Sequence, residues 1–224
     1  GTKTLLALYD LEGETLIKRH QQRFVSADWS SLEPMLQAFV AGRPKDVQAP
    51  THGCIAVAGP VRNRQARITN LPWQLKEEDL AAAAGMQQLE LVNDFGVLIY
   101  GLPHFGADQQ VVLQEGSQDD GPLAILGAGT GLGMARGVRT SNGLMALSSE
   151  GGHREFAPRS DEEWQLACWL KQDLGVDRLS IERVVSGTGL GHIAHWLLQQ
   201  PGAQSHPLRS VAEAWRRNMA SDLP

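Results

Sequence analysis

Four short stretches of this 224-residue sequence carry side chains and spacings that could do chemistry. The first is Leu91-Val92-Asn93-Asp94-Phe95. A carboxylate such as Asp94, held within hydrogen-bond reach of an alcohol, can orient that hydroxyl and accept its proton, as phosphoryl transfer to an alcohol requires. The same Asn-Asp pair would equally serve to cap a helix over Asp94-Phe95-Gly96-Val97-Leu98-Ile99-Tyr100-Gly101-Leu102. The second is Ser148-Ser149-Glu150-Gly151-Gly152-His153, whose two glycines permit a sharp turn that aims Glu150 and His153 at one point. Glu and His can donate to and accept from neighbouring hydroxyls, which suits a sugar; the competing reading is a solvent loop. A metal site is the weaker alternative, because no further ligands are grouped nearby.

The third stretch is Gly127-Ala128-Gly129-Thr130-Gly131-Leu132-Gly133, after the apolar Leu123-Ala124-Ile125-Leu126. A dinucleotide fingerprint needs Gly-x-Gly-x-x-Gly. The third position is Leu132 counting from Gly127 and Met134 counting from Gly129, so that motif fails. No Gly-Lys-Ser/Thr follows, and the Walker loop fails too. What remains is a glycine-rich turn whose bare amides can approach a phosphate, or an ordinary hairpin. The fourth stretch, Ile181-Glu182-Arg183-Val184-Val185-Ser186-Gly187-Thr188-Gly189-Leu190, places Glu182 near a helix start, where its charge would also favour the helix dipole. Asn70 and Trp73 in Ile68-Thr69-Asn70-Leu71-Pro72-Trp73 read in isolation as a turn with a packed aromatic.

The elements that must position these residues alternate, which argues an α/β protein. Thr4 to Gly13 reads as a strand with a hairpin partner in Glu14 to Phe24. Leu32 to Ala41 has helical spacing and stops at Gly42, with Pro34 in its first turn. Cys54 to Val61 is a buried-strand run, Lys76 to Gly85 a short helix, and Leu89 to Asp94 a strand whose carboxyl end carries the Asn-Asp pair, where open α/β sheets bind ligands. In the second half, Val111 to Gly116 and the run from Leu123 to Val138 are strand-like, and Met145 to Pro158 reads as a loop. Ser160 and Glu163 form a capping box for a helix ended by Gly175. Further helices are expected from Ser180 and over Gly191 to Gln200, and Val211 to Met219 is amphipathic. The strand-rich and helix-rich parts suggest two lobes, residues 1–100 and 101–224.

Composition excludes several classes. Apolar residues make up 42% of the chain, and 24 glycines with 11 prolines suggest many turns. A net charge of −5 gives no basic stripe for nucleic acid. No run of about 18 apolar residues is available to span a membrane, and no signal peptide is visible. The two cysteines, Cys54 and Cys168, form no framework or zinc motif and fit a reducing compartment.

Taken in order, Gly-Thr-Lys-Thr at the start, Ala-Val-Ala-Gly-Pro-Val, Thr-Asn-Leu-Pro-Trp, Leu-Val-Asn-Asp-Phe, Leu-Gly-Ala-Gly-Thr-Gly-Leu-Gly, Ser-Glu-Gly-Gly-His, Phe-Ala-Pro and Glu-Arg-Val-Val-Ser-Gly-Thr-Gly-Leu resemble the bacterial-type glucokinases over nearly the whole chain. The resemblance implies a two-lobed α/β fold of the hexokinase and actin-like superfamily, with a cleft between the lobes. It implies a cytoplasmic kinase that moves the γ-phosphoryl of ATP, with magnesium, to the 6-hydroxyl of glucose. Asp94 would be the catalytic base. Asn93, Glu150, His153 and Glu182 would bind the sugar, with Asn70 near it. Gly129, Thr130 and Gly131 would form one phosphate loop, and Gly1 and Thr2 the remainder of another. The family's acidic residue before Gly1, its adenosine-facing glycine segment and its C-terminal helix are not in this sequence, so the chain resembles an enzyme shortened at both ends. A homodimer is left open. The alternatives are a kinase for another hexose or hexosamine and a non-catalytic sugar-responsive regulator. A glycosidase using Asp94 and Glu150 is a third, and it leaves the glycine-rich turn unexplained.

Overall fold

The computed structural model describes residues 3–13, 15–68, 71–117, 121–203 and 205–221, with side chains up to 218 in the last helix. The chain separates into two compact units, Gly1–Leu98 and Ile99–Pro224, each with its own apolar cluster.

In the first unit, β1 (Lys3–Glu12) and β2 (Thr15–Val25) form an antiparallel hairpin, with Gly13 at φ 63 in the turn. That left-handed conformation suits glycine because it has no Cβ to clash. Helix α1 (Leu32–Ala41) buries Leu32, Met35, Leu36 and Phe39, the i, i+3, i+4, i+7 stripe of an amphipathic helix. β3 (His52–Val57) is followed by a small antiparallel sheet of β4 (Val61–Arg62), β5 (Gln65–Arg67) and β6 (Gln74–Lys76). Helix α2 (Glu77–Ala84) ends at Gly85, which is left-handed. β7 (Gln88–Asn93) then pairs parallel with β3, in a register that sets Val57 beside Asn93 at the shared carboxyl end. Helix α3 (Asp94–Gly101) starts at once.

Glu77 locks this unit together although it is a buried carboxylate. Its Oε1 accepts the Leu91 amide at 3.0 Å, and its Oε2 accepts from Arg64 Nε at 2.7 Å. Arg64 sits with Asn63 at φ 61 and 50, in the two-residue turn between β4 and β5. Consecutive positive φ values are those of a type I′ hairpin turn. The Arg64 carbonyl also accepts the Glu77 amide at 3.2 Å. One side chain thus joins a turn, the first residue of α2 and strand β7.

The second unit has a three-stranded antiparallel sheet of β8 (Leu123–Ala128), β9 (Leu132–Thr140) and β10 (Gly143–Ser149), with β9 in the middle. Gly137 of β9 lies over the buried Ile99; a Cβ there would fall 2.5 Å from the Ile99 Cγ2. Helix α4 (Asp161–Leu174) is capped by the Ser160 hydroxyl, which accepts the Glu163 amide at 3.2 Å, and it stops at left-handed Gly175. Helices α5 (Gly187–Leu197) and α6 (Arg209–Ser221) follow. Leu166, Ala167, Leu170, Leu179 and Trp196 make the core. Among the described residues, no helix is long and apolar enough to cross a membrane.

Four sequence expectations need correction. Val111 to Gly116 is not a strand: Val111, Val112 and Leu113 are exposed, and the segment pairs with no strand among the described residues. Met145 to Ser149 belongs to β10 and is not part of a loop, because alternating Leu144 and Ala146 are partly covered while β9 supplies the pairing. The helix expected from Ser180 is a single 3-10 turn, Ile181–Arg183. Helix α5 begins at Gly187 rather than Gly191, because Ser186 caps it by accepting the Gly189 amide at 2.9 Å.

His192 of α5 is 2% exposed, and its ring stands edge-on to Trp215 of α6 at 5.3 Å. Neither ring nitrogen has a partner among the described residues. Burial, helped by the Arg183 and Arg216 charges, pushes its pKa down to about 4. The unfolded chain takes a proton at this ring from about pH 6.5, so the stability tied to neutral His192 is complete above that pH and is lost as pH falls toward about 4. Unfolding temperatures recorded across that window should drop more for the protein than for His192→Leu. A parallel drop in both would exclude His192 as a source of the acid sensitivity. Glu77→Ala should cost about 1–3 kcal/mol in denaturant unfolding, the range for a buried donor left unpaired. Glu77→Gln, whose carbonyl can still accept the Leu91 amide, should cost less.

Candidate functional site

Asn93 ends β7, and its side chain works in two directions. Its Oδ1 accepts the Phe95 and Gly96 amides at 3.1 and 2.9 Å, which caps α3. Its Nδ2 donates to the Gly59 carbonyl at 3.1 Å, tying it to the turn that leaves β3. Asp94 follows with Oδ1 accepting from the Phe95 amide at 3.0 Å and from Asn93 Nδ2 at 3.1 Å. Among the described residues its Oδ2 has no partner. The capping reading of the Asn-Asp pair is therefore present in the geometry, and it leaves one carboxylate oxygen free on a fixed backbone.

The second unit gathers the other group. Glu150 follows β10, and Gly151–His153 make one 3-10 turn. Gly152 is buried against the Leu132 backbone carbonyl, which a Cβ would strike, so the turn can pass this close only with glycine. The His153 carbonyl is held by Arg178 Nη1 at 2.6 Å. The His153 ring then lies between two acids: Nε2 is 3.4 Å from Glu150 Oε2, and Nδ1 is 3.9 Å from Glu182 Oε1. The Glu150 and His153 side chains are 68% and 58% exposed, open to a ligand, whereas Glu182 is 26% exposed.

Glu182 also reaches the glycine-rich turn. Its Oε2 accepts the Leu132 amide at 2.9 Å, at the first residue of β9. A side chain on Gly131 would collide with that carboxylate. Gly129-Thr130-Gly131 is the loop between the last β8–β9 pair, Ala128 and Leu132. The hairpin reading of this motif holds as a description of its backbone. Its carbonyls are taken from α5: the Gly187 amide donates to Gly129 O at 2.7 Å, and the Thr188 hydroxyl donates to Thr130 O at 2.9 Å. The Thr130 and Gly131 amides have no acceptor among the described residues, which leaves two adjacent donors suited to an anion.

The structure thus brings Glu150, His153, Glu182 and Gly129–Gly131 into one connected group in the second unit, while Asn93 and Asp94 belong to the first. Gly1, Thr2 and Asn70 lie outside the described residues. Sequence reasoning passed over Ser186, Gly187 and Thr188. Their signal was the second Gly-Thr-Gly, Gly187-Thr188-Gly189, behind a capping serine. Among the described residues no group of three or more His, Cys, Asp or Glu is arranged to hold a metal ion.

The sequence model of a family described as Glucokinase matches residues 1–222. The chain is 38% identical over 231 residues to a glucokinase from Synechocystis sp., covering 97% of this chain and 64% of that relative. It is 37% identical over 222 residues to one from Nostoc sp., with the same two coverages, 97% and 64%. The chain therefore spans about 64% of the length of these curated relatives. Among solved structures, a glucokinase from an Antarctic psychrotroph superposes with a TM-score of 0.78 at 30% identity, covering 99% of this chain and 69% of that one. A glucokinase from Balamuthia mandrillaris in complex with glucose superposes with a TM-score of 0.65 at 20% identity, over 94% of this chain and 63% of that one, a likeness of fold alone.

Proposed function

The chain belongs to the glucokinase family, with its hexokinase-type α/β fold, and from that premise we propose that the protein transfers the γ-phosphoryl of ATP to the 6-hydroxyl of glucose. The observation that carries this reading is Glu182, one carboxylate that contacts both a polar Glu–His pair and a glycine-rich turn with two free amides. A sugar needs the first, a phosphate the second, and a kinase needs both held in fixed relation.

In this reading Glu150, His153 and Glu182 accept hydrogen bonds from, and His153 also donates to, the hydroxyls of the sugar. Asn93 adds an amide to this set, and Asn70 extends the same role. Asp94 uses its free Oδ2 to orient the 6-hydroxyl for in-line attack and takes its proton as the new P–O bond forms. The β–γ bridging P–O bond breaks, and the electron pair leaves on ADP. The amides of Thr130 and Gly131 stabilise charge developing on the phosphoryl oxygens without reorganising, because the turn is already set. Gly1 and Thr2 contribute to the same phosphates. Magnesium would arrive on the phosphates of the nucleotide and neutralise their charge, and no residue described here is assigned to hold it.

The test is ADP formation by the complete protein with magnesium-ATP and glucose, fructose, mannose or glucosamine. Preference for glucose supports the reading, and preference for another of these sugars replaces its substrate. Turnover on none of them overturns it. Asp94→Asn should lose roughly 10²–10⁴ in kcat, the range for a positioned base, while glucose binding measured by calorimetry persists. Near-normal turnover would remove Asp94 from that role. Glu150→Gln should raise the KM for glucose more than the KM for ATP, and an unmoved glucose KM would take Glu150 out of the sugar site.

A further inference from the structure

Two Gly-Thr-Gly triplets occur in the chain, and they meet in the fold. Gly129-Thr130-Gly131 is the β8–β9 turn, and Gly187-Thr188-Gly189 opens α5. The hydroxyl of Thr188 reaches 58 residues back along the sequence to donate to the Thr130 carbonyl at 2.9 Å. The Gly187 amide donates to the neighbouring Gly129 carbonyl at 2.7 Å. A Cβ on Gly187 would stand 3.0 Å from that same carbonyl oxygen, close enough that the two backbones would have to part by a few tenths of an ångström. Ser186 sets the donor side, accepting the Gly189 amide at 2.9 Å and donating to the Glu182 carbonyl at 2.7 Å.

The consequence follows from peptide geometry. In a trans peptide the C=O and the following N–H point in opposite directions, and no cis peptide bond occurs among the described residues. The Gly129 carbonyl shares its peptide with the Thr130 amide, and the Thr130 carbonyl shares its peptide with the Gly131 amide. Drawing both carbonyls onto α5 turns both of those amides away from α5, side by side. They are the two backbone donors of the turn that lack an acceptor among the described residues. A glycine-flanked turn left to itself would sample many orientations, and the two hydrogen bonds select one.

We infer that Thr188 is a positioning residue for the phosphoryl donor: by holding the Thr130 carbonyl, its hydroxyl aims the Thr130 and Gly131 amides at a phosphate. This rests on the proposed reading of the turn as a phosphate loop. Thr188 itself touches no substrate in this role.

Thr188→Val keeps the branched shape and deletes the donor, whereas Thr188→Ser keeps the donor. In the complete protein, Thr188→Val should raise the KM for ATP about fivefold, the order expected for one net hydrogen bond, and leave the KM for glucose within about twofold. Thr188→Ser should stay within about twofold of the unsubstituted protein in both. A KM for ATP that does not move, an equal rise in both constants, or a serine variant as impaired as the valine one would overturn the inference. Hydrogen exchange over residues 127–134 separates this inference from the functional reading, because it needs no turnover. Faster exchange in Thr188→Val than in Thr188→Ser supports the clasp, and equal exchange refutes it. Absence of glucose phosphorylation by the unsubstituted protein would instead refute the proposed reaction.

Discussion

Glu182 holds the Leu132 amide with one carboxylate oxygen and faces the His153 ring with the other. Because the two oxygens of a carboxylate are rigidly joined, this fixes the start of β9 relative to the turn after β10. The glycines follow from it. A side chain on Gly131 would displace that carboxylate, and Gly152 has no room for one beside the Leu132 carbonyl. The Glu182 backbone is in turn tied to Ser186, and through Ser186 to the first turn of α5. Sugar-type residues and phosphate-type turn are therefore parts of one hydrogen-bonded assembly, and a shift in either would be felt by the other.

The first unit solves a different problem with similar means. Asn93 caps α3 and anchors itself to Gly59, so that the residue after it is placed by backbone requirements alone. A helix start must satisfy its free amides, and that need immobilises Asp94 while using only one of its oxygens. Structural capping and a free carboxylate are thus compatible uses of the same two residues. Glu77 shows the same economy: a buried acid holding a strand amide, a turn arginine and the entry to α2.

Most elements were legible because their signals are local. The apolar stripe of α1, the alternation after Thr4, the cap at Ser160 and the left-handed glycines after α2 and α4 each act within a few residues. The misread segments depend on distant partners. Met145 to Ser149 has a weak strand pattern and becomes β10 only because β9 lies beside it. Val111 to Gly116 opens on two β-branched residues but pairs with no strand among the described residues, and propensity alone does not make a strand. The helix read from Ser180 shortens to a single turn because Ser186 is extended, at φ −169 and ψ 175, and starts α5 as its cap.

The sequence by itself determined the α/β class, the run of elements that carry the polar motifs, and which residue types stand at each candidate position. It also left two readings open at each motif, since a cap, a hairpin and a loop use the same residues as a site. The tertiary structure decided how those readings combine. It set the Glu150–His153–Glu182 row, the Glu182 bond to Leu132 and the meeting of the two Gly-Thr-Gly triplets. These are contacts between residues up to 58 positions apart. Their geometry is fixed by where each backbone must send its hydrogen bonds, and that is a property of the folded chain rather than of any short stretch of it.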